Sequence, residues 1–427
     1  MRIRLKNIGK VAEAEIDISG VTVVAGDNGT GKSTVGRSLY SAYSSLFDSD
    51  IKIQRMRRES IRDKISLARR VASRELFGED RHPINLSGIT DAILNRSLGA
   101  EEVSALLRLS FGPDGSKAVD SALTGGIDVL AREVSEIVSI SDEEAFSLIS
   151  SRQFETEFNN QINSVSNDLP GFIELEIKRK SYRFDVAENK VVHSGDRAVL
   201  TSQIYYFDDS HSIDFLGVDK FMISRYKRQG HQGNLDMALY NAARKPDSGT
   251  IDDLIREKHL MKVMEMVNSV CPGSFIKDGD GRSFVYIEKG NRGGIQPGNL
   301  SDGLKTFAQI KLLLEKGSLS SNGTIILDEP ENHLHPAWQL VFAEIIVLLH
   351  KELGIHAMIS TQSPYFLNAI EVYSKKHEID EFCSYYLAEI GKDGSSIFSD
   401  ITGSTEIAYG KLAAPFDTLE KEECGLE

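Results

Sequence analysis

A segment near the start of the chain has the residue types and spacing of a phosphate-binding loop. Residues 26–33 read GDNGTGKS and fit the pattern G-x-x-x-x-G-K-[ST] at every position. Glycines let successive backbone N–H groups turn towards phosphate oxygens, at the positive end of the helix that follows. The lysine of such a loop reaches the β- and γ-phosphates of a nucleotide, and the hydroxyl after it coordinates Mg²⁺. These residues, here called the phosphate loop, predict a site for ATP and Mg²⁺.

The surroundings of the phosphate loop favour this interpretation over a glycine turn with an incidental lysine. Residues 21–25 form a continuous apolar run, typical of a strand buried on both faces, and residues 35–47 have helical character. We therefore predict that Lys32 binds phosphate and acts in catalysis, and that Ser33 holds Mg²⁺. The residues predicted to contact the nucleotide are Asn28, Gly29, Thr30, Gly31, Lys32, Ser33 and Thr34.

A second group with chemical potential is an acidic pair, Asp328 and Glu329, that follows the apolar run TIIL at residues 324–327. This pattern resembles a Walker B strand, in which the aspartate holds Mg²⁺ and the glutamate polarises the attacking water as general base. An apolar run that ends in Asp-Glu is common. Its continuation, DEPENHLHP, is more specific, and Pro336 suits the first position of the next helix. In this context His333 and His335 belong to a loop and are not predicted to bind zinc.

Upstream of the acidic pair, residues 300–303 read LSDG and begin a predicted helix that runs to about Glu315. This signature segment resembles the LSxG motif of ABC ATPases, and the alternative is an ordinary Ser/Asp helix cap. In that family the serine and glycine contact the γ-phosphate held by the opposite subunit. The resemblance therefore implies that Ser301 and Gly303 bind nucleotide in trans.

Downstream of the acidic pair, the apolar run HAMIST at residues 356–361 predicts a buried strand that leads into a switch loop, residues 362–364. The loop resembles the S-T-H-S-P switch of the same family, with Gln362 in place of the histidine. Glutamine donates a hydrogen bond to a γ-phosphate but cannot become a cation. We expect Gln362 to act in catalysis, with slow turnover and intact ATP-driven closure.

Together these motifs resemble the SMC-like branch of ABC ATPases, and within it the AAA-family ATPases of bacterial anti-phage systems, which include OLD nucleases and Septu- or retron-associated ATPases. The resemblance covers roughly residues 1–50 and 200–370. It implies a head that forms a homodimer or higher homo-oligomer on MgATP and signals to a separate effector protein, which is a nuclease, a toxin or a reverse-transcriptase complex. We expect the chain to depart from OLD nucleases, since no TOPRIM nuclease domain is predicted after the switch loop. Gln203, which precedes the apolar-aromatic run IYYF, is a candidate for the Q-loop glutamine of the family.

The predicted fold is α/β: an ABC-type P-loop ATPase head with an antiparallel β-layer and a parallel core sheet, interrupted by a mostly helical insertion. Residues 1–50 and 200–427 are assigned to the head, and residues 51–199 to the insertion. Ile61, Ile65, Ala68 and Ala72 recur at helical spacing within the insertion. The alternating pattern at residues 172–192 predicts a short β-hairpin near its end.

Charge and composition constrain the partners. The chain has 49 basic and 63 acidic residues and a formal net charge of −14, so contact with nucleic acid requires a local basic patch. Residues 52–74 contain nine basic and two acidic residues, which indicates either a solvated helix face or a surface for a polynucleotide or an acidic partner. The three dispersed cysteines, the charged N-terminal segment and the lack of a long apolar run predict a cytoplasmic protein without a membrane partner.

Two alternatives to the effector hypothesis stay open from the sequence. One is a DNA-repair or chromosome-type ATPase that acts directly on DNA. The other is an assembly protein that binds ATP but hydrolyses little of it. The nucleotide-binding subunit of a transporter is disfavoured by the large insertion and by the sequence DEPENHLHP.

Overall fold

The computed structural model describes residues 1–75, 84–195, 197, 199–219, 221–226, 228–246, 249–288 and 290–424. The chain divides into two compact units. The head unit consists of residues 1–47 and 150–427, and the helical unit of residues 48–149. Each unit has a hydrophobic core of its own.

The head unit contains an 11-stranded mixed sheet and a separate two-stranded hairpin, β8–β9. The order of strands across the large sheet is β6-β5-β4-β1-β2-β13-β12-β3-β11-β10-β7. The strands are β1 Arg2–Ile8, β2 Val11–Asp17, β3 Val21–Gly26, β4 Gly171–Ile177, β5 Lys180–Ala187, β6 Lys190–Ser194, β7 Ile204–Phe207, β8 Ser274–Lys277, β9 Phe284–Ile287, β10 Thr324–Asp328, β11 His356–Thr361, β12 Cys383–Ile390 and β13 Ser396–Asp400.

Five neighbouring strands, β12, β3, β11, β10 and β7, form the parallel core of this sheet. Every residue of β3 is buried, as expected for a strand covered on both faces. The register places Asp328 opposite Ser360, and Thr361 opposite Ala25. Since parallel strands end at the same edge, the phosphate loop, the acidic pair and the switch loop all leave the sheet at one edge. The predicted parallel core is confirmed.

The antiparallel layer is the other part of the same sheet, formed by β6, β5, β4, β1 and β2. The hairpin predicted within the insertion at residues 172–192 is found as β4 and β5, but its assignment to the insertion was wrong. An isolated hairpin is marginally stable, whereas here β4 pairs with β1 along five residues. The structure therefore divides the chain at residues 48 and 149, where the sequence predicted 51 and 199.

The helices are α1 Lys32–Leu46, α2 Ser49–Glu75, α3 Leu86–Arg96, α4 Ala100–Ala122, α5 Gly126–Ser139, α6 Asp142–Glu157, α7 Ile223–Tyr226, α8 Gly230–Arg244, α9 Ile251–Val270, α10 Asp302–Glu315, α11 Pro336–Leu353, α12 Pro364–Lys376 and α13 Glu406–Cys424. In the head unit α1 packs against β7, β10 and β11. Helices α10 and α11 contribute Phe307, Leu313 and Phe342 to the main core. Within the described ranges, we find no helix that combines the length and the apolar character needed to cross a membrane.

The helical unit is held together by the stripe that the sequence predicted on α2. Ile61, Ile65, Ala68 and Ala72 are fully buried, and they pack with apolar residues of α3, α4 and α5. Several basic residues of residues 52–74 are engaged in ion pairs inside the same unit. These pairs are Arg57–Asp142 (2.7 Å), Arg58–Asp91 (2.8 Å) and Lys64–Glu133 (2.7 Å).

Candidate nucleotide-binding site

The phosphate loop joins β3 to α1 and has the backbone geometry that its glycines predict. Gly29 and Gly31 have φ values of 78° and 83°, in the left-handed region that favours glycine. A Cβ on Gly31 would also lie 3.1 Å from the Val11 side chain. Asn28 is exposed, whereas the Thr30 side chain is buried and its hydroxyl donates to the Asp27 carbonyl at 2.8 Å. The loop is thus a fixed turn whose tip is accessible.

Lys32 lies at the centre of this turn and is 4% exposed. Its ammonium group donates to the carbonyl oxygens of Gly26 and Asp27, at 2.8 and 2.9 Å. The same nitrogen is 3.7 Å from a carboxylate oxygen of Glu329. A buried cation requires such partners, and their arrangement holds a positive charge in the mouth of the loop. Ser33 and Thr34 follow on the first turn of α1 and are partly exposed.

Asp328 is the last residue of β10, and Glu329 is the first residue beyond it. One Asp328 carboxylate oxygen accepts the Tyr206 hydroxyl at 3.0 Å, and the other is buried without a hydrogen-bond partner among the described residues. Glu329 adopts a left-handed backbone, φ 48°, which is uncommon for a residue with a Cβ. Its N–H donates to the Ser360 carbonyl at 2.9 Å. This backbone turn directs the Glu329 carboxylate towards Lys32.

The residues present fit Mg²⁺. Mg²⁺ binds through one or two carboxylates and completes its shell with phosphate oxygens and water. The unpartnered oxygen of Asp328 and the Ser33 hydroxyl are ligands of this kind. No group of three or more His, Cys, Asp or Glu within the described ranges could hold a metal by itself.

Gln362, from the switch loop, lies beside Glu329, a contact that the sequence did not predict. Its side-chain amide donates to Glu329 Oε2 at 3.4 Å, and the Asn332 amide donates to the same oxygen at 3.0 Å. The structure therefore brings together Lys32, Glu329 and Gln362, the three residues predicted to act in catalysis. Glutamine supplies a neutral donor here, which orients the carboxylate without adding a charge.

Glu331 was missed from the sequence, although it lies in DEPENHLHP. It is 5% exposed, and its Oε1 accepts the Thr361 hydroxyl at 2.5 Å and the Gln362 backbone N–H at 3.3 Å. Burial raises the pKa of its carboxyl group above the ordinary value. Glu331 thus ties the switch loop to the loop after β10. The second glutamate of DEPE was the sequence feature that could have pointed to Glu331. Because glutamates are rarely buried, solvent exposure was the default expectation for it.

The signature segment begins α10 without an ordinary cap. Ser301 is the N-cap residue and is exposed, yet its side chain accepts no hydrogen bond from the helix. Gly303 is buried, and a Cβ there would lie 3.0 Å from the His333 carbonyl and 3.2 Å from the Trp338 ring. An ordinary helix cap therefore does not account for the serine at position 301. The close packing around position 303 within one chain does account for the glycine there.

The loop after β7 enters the site in place of the predicted glutamine. Gln203 precedes Ile204, which pairs with Thr324 at the start of β10. Gln203 therefore lies at the opposite end of the strand from Asp328, and its assignment as the Q-loop residue was wrong. Asp208, the first residue after β7, lines a cavity of about 120 Å³ together with Asp328 and Glu329. An aspartate in this position gave no sequence signal.

The parallel core, the glycine-bearing loop before α1 and the converging Lys32, Asp328 and Glu329 define a P-loop ATPase fold of the ABC type. The chain belongs to the family described as "AAA domain, putative AbiEii toxin, Type IV TA system", which matches residues 133–368, more than half of the sequence. The match includes the signature segment, the acidic pair and the switch loop. No curated protein matches the sequence.

Similar solved structures are SMC heads, at low identity. The SMC head bound to the C-winged helix domain of ScpA is 10% identical, with 95% of this chain and 98% of that chain covered and a TM-score of 0.43. The SMC head domain from Thermotoga maritima is 11% identical, with coverage of 93% and 97% and a TM-score of 0.36. The Smc head domain with an extended coiled coil, bound to the C-terminal domain of ScpA derived from Pyrococcus furiosus, is 11% identical, with coverage of 95% and 97% and a TM-score of 0.42.

The contact between Thr361 and Glu331 generates a prediction about the switch loop. Thr361→Val keeps the side-chain shape but removes the hydroxyl donor, so Gln362 loses its fixed position beside Glu329. We expect the free energy of unfolding to fall by about 1–3 kcal/mol. We expect ATP turnover to fall by roughly tenfold or more, since small displacements of positioning groups are costly. Denaturant unfolding and phosphate release measure the two effects.

Thr405→Val is the matched control, because the Thr405 hydroxyl donates to a Glu371 carboxylate at 2.8 Å, away from the phosphate loop. It should lose stability without a change in turnover. Equal reductions of turnover in both variants, or none in Thr361→Val, would count against this role of Glu331.

Proposed function

We propose that this protein is an ATPase that hydrolyses ATP with Mg²⁺ and closes as a homodimer around the nucleotide. The observation that carries the proposal is the meeting of Lys32, Glu329 and Gln362 beside the unpartnered oxygen of Asp328. Phosphoryl transfer requires a cation that binds phosphate, a carboxylate that activates water and a carboxylate that coordinates a metal ion.

In the proposed mechanism, residues of one chain bind and orient the triphosphate. The N–H groups of residues 28–34 and the Lys32 ammonium hold the phosphates, while Ser33 and Asp328 hold Mg²⁺, which neutralises charge on the transferred phosphoryl group. Glu329 accepts the proton of the attacking water. Gln362 orients Glu329 through its amide. Because Gln362 carries no charge at any pH, we propose that turnover is slow.

The second half of the site is proposed to come from another copy of the chain. Ser301 is exposed, and its hydroxyl does not cap its own helix. The N-terminus of α10 presents backbone N–H groups suited to an anion. We therefore assign Ser301 and Gly303 to the γ-phosphate bound by the partner subunit, in a homodimer or a higher homo-oligomer.

The biological role we propose is a sensor or scaffold for a separate effector in anti-phage defence. The description of the family names a putative AbiEii toxin and a type IV TA system, which supports an output in a toxin or defence context. A nuclease, a toxin or a reverse-transcriptase complex is the proposed class of effector. A cytoplasmic location is part of this proposal.

Glu329→Gln tests the proposed hydrolysis and the alternative of an assembly protein with little turnover. The amide cannot accept a proton, so we expect phosphate release to fall by about 100-fold or more. ATP affinity should stay within twofold, and the ATP-bound dimer should accumulate in light scattering. Glu352→Gln, at the end of α11, is the control. Wild-type protein that binds ATP but releases phosphate no faster than Glu329→Gln would support the assembly protein.

Mixing two inactive variants tests the shared site. Lys32→Ala removes the phosphate lysine, and Ser301→Arg blocks the signature segment, so each homodimer should be inactive. A mixed dimer contains one intact pair of Lys32 and Ser301, and equal mixing should restore roughly a quarter of the wild-type turnover, as expected for a symmetric dimer. Mixing two batches of Lys32→Ala is the control. Active Ser301→Arg homodimers, or no recovery on mixing, would exclude a site completed in trans.

Direct binding of DNA is the second candidate, and one observation favours it. Arg55, Arg62 and Arg69 lie seven residues apart on α2 and are exposed, and none of them joins the ion pairs formed among the described residues. Their spacing places them on one helix face. Arg58, on the same helix, is instead paired with Asp91. Three arginines along one face, without ion-pair partners in the part of the chain that the structure describes, suit a phosphate backbone.

Charge reversal at Arg55, Arg62 and Arg69 to glutamate tests this second candidate. If α2 binds DNA, the affinity for duplex DNA measured by fluorescence anisotropy should fall. The slope of the logarithm of the binding constant against the logarithm of the salt concentration should also become shallower, by about 0.9 for each phosphate that is no longer neutralised. Reversal of Lys178 and Arg179 in the β4–β5 turn, together with Lys180 at the start of β5, makes the same change of charge and is the control. An equal fall in affinity in both triple variants would indicate a nonspecific effect of net charge.

A further inference from the structure

A buried histidine in the head unit lies between two carboxylates that the proposed mechanism does not use. His231, in the first turn of α8, is 8% exposed. Its Nδ1 is 2.6 Å from Glu157 Oε2, and its Nε2 is 2.8 Å from Asp208 Oδ2. The His231 backbone N–H also donates to Glu157 Oε1 at 2.7 Å. Both ring nitrogens face acceptors, so the ring donates from both nitrogens only as an imidazolium.

The electrostatics of this cluster agree with its geometry. Burial alone would lower the pKa of His231, but the hydrogen bonds to Asp208 and Glu157 outweigh it and raise the pKa to about 9. Burial opposes the charged form of Asp208 as well, yet the hydrogen bond from His231 holds its pKa below the ordinary value. Gln232 adds a further donor to Asp208 Oδ2 at 3.0 Å. Asp208 is therefore a charged carboxylate held by two donors of α8.

The same histidine is connected to the nucleotide site through Tyr206. The Tyr206 ring stacks on the His231 ring with 4.4 Å between centroids. The Tyr206 hydroxyl donates to Asp328, which is assigned to Mg²⁺. Tyr206 is fully buried, so the position of its ring is fixed by its neighbours. One packed unit thus spans His231, Tyr206 and the end of β10.

Asp208 also lies between two cavities. It shares the smaller cavity with Asp328 and Glu329. The larger cavity, of about 510 Å³, is lined by Asp208, Glu157 and His231, with Arg37 of α1 and with Arg152 and Glu155 of α6 as the other charged groups. Within the described ranges, the Nε of Arg37 is buried without a hydrogen-bond partner. Asp208 is therefore the carboxylate through which the buried cluster reaches the acidic pair.

We propose that Asp208 is a further residue of the nucleotide site, facing the water beside Glu329, and that Glu157 and His231 are the positioning pair that holds it there. This inference rests on the proposed ATPase function. Asp208 accepts a hydrogen bond from water in the shared cavity. His231 fixes the orientation of its carboxylate and compensates one negative charge close to the triphosphate. Glu157 fixes the ring of His231 in turn, so it acts on the reaction only through Asp208.

Isosteric variants test the proposal, because they preserve the packing. Asp208→Asn should lower kcat by about tenfold or more, as for removal of a group that orients water. Its KM for ATP should stay within threefold of the wild-type value. Its affinity for a fluorescent ATP analogue in EDTA should stay within twofold of the wild-type affinity. Glu157→Gln should lower kcat in the same direction by a smaller factor. The double variant should have the kcat of Asp208→Asn alone, because a pair that acts through one carboxylate gives non-additive effects.

Glu344→Gln is the matched control. The Glu344 carboxylate accepts from the buried His377 at 2.8 Å, between α11 and α12, and takes no part in the nucleotide site. Its Tm should fall about as far as that of Glu157→Gln, while its kcat should be unchanged. His231→Gln is a second probe of the pair: its kcat per folded molecule should fall, and circular dichroism reports whether it folds.

The outcomes separate this inference from the proposed function. If wild-type protein hydrolyses ATP, Glu329→Gln does not, and Asp208→Asn has wild-type kcat, the role of Asp208 is overturned and the ATPase stands. If the effects of Asp208→Asn and Glu157→Gln on kcat multiply in the double variant, the positioning role of Glu157 and His231 is overturned. If the wild-type protein neither binds nor hydrolyses ATP, the proposed function fails first.

Discussion

The site depends on four parallel strands that end at one edge of a sheet buried on both faces. β3, β11, β10 and β7 lie side by side, and the loops that leave their carboxyl ends carry every group of one chain assigned to the chemistry. A one-residue slip in pairing would turn each buried side chain to the opposite face. The apolar runs of these strands therefore fix the strand register, and the register sets where each site residue lies along the edge of the sheet. Ligands of open α/β sheets bind at such an edge for the same reason.

Strand pairing fixes where the loops start, but buried polar contacts fix how they turn. Lys32 is held by two carbonyls of its own loop, Glu331 by the switch loop, and Asp208 by His231. An uncharged polar group buried without a partner costs about 1–3 kcal/mol, and a charged group such as the Lys32 ammonium costs more. Alternative loop conformations that break the contacts are therefore disfavoured. The polar network specifies one arrangement of loops that are otherwise short and irregular.

The sequence predicted the residues whose roles follow from local spacing. Lys32, Ser33, Asp328 and Glu329 belong to motifs of contiguous residues, and the neighbouring strands and helices were recognised from periodicity. Asp208 and His231 are 23 residues apart and meet only because α8 packs beside β7. No pattern along the chain carries that contact. Gln203 was chosen by residue type, and the strand direction excluded it.

The same limit explains the domain boundary and the basic stretch. The hairpin β4–β5 alternates like any half-buried pair, and the sequence does not reveal that β1 is its partner. Counting charges in residues 52–74 gave an excess of basic residues. Asp91, Glu133 and Asp142 neutralise part of that excess from α3, α5 and α6. A local charge count does not include acidic partners that the fold brings from elsewhere.

The signature segment shows how contacts within one chain can support a site that is proposed to be completed by a second chain. Gly303 packs closely under the His333 carbonyl and the Trp338 ring, which joins the start of α10 to the loop after Glu329. Further along α10, the Gln309 amide donates to the Asp209 and Ser210 carbonyls, at 3.2 and 2.7 Å, in the loop that begins with Asp208. The helix whose N-terminus is proposed to meet the partner's nucleotide therefore contacts two of the loops around its own site. Interfaces packed this closely shift as units. The proposed communication between the two sites therefore depends on α10 and on Ser301, the exposed residue that precedes it.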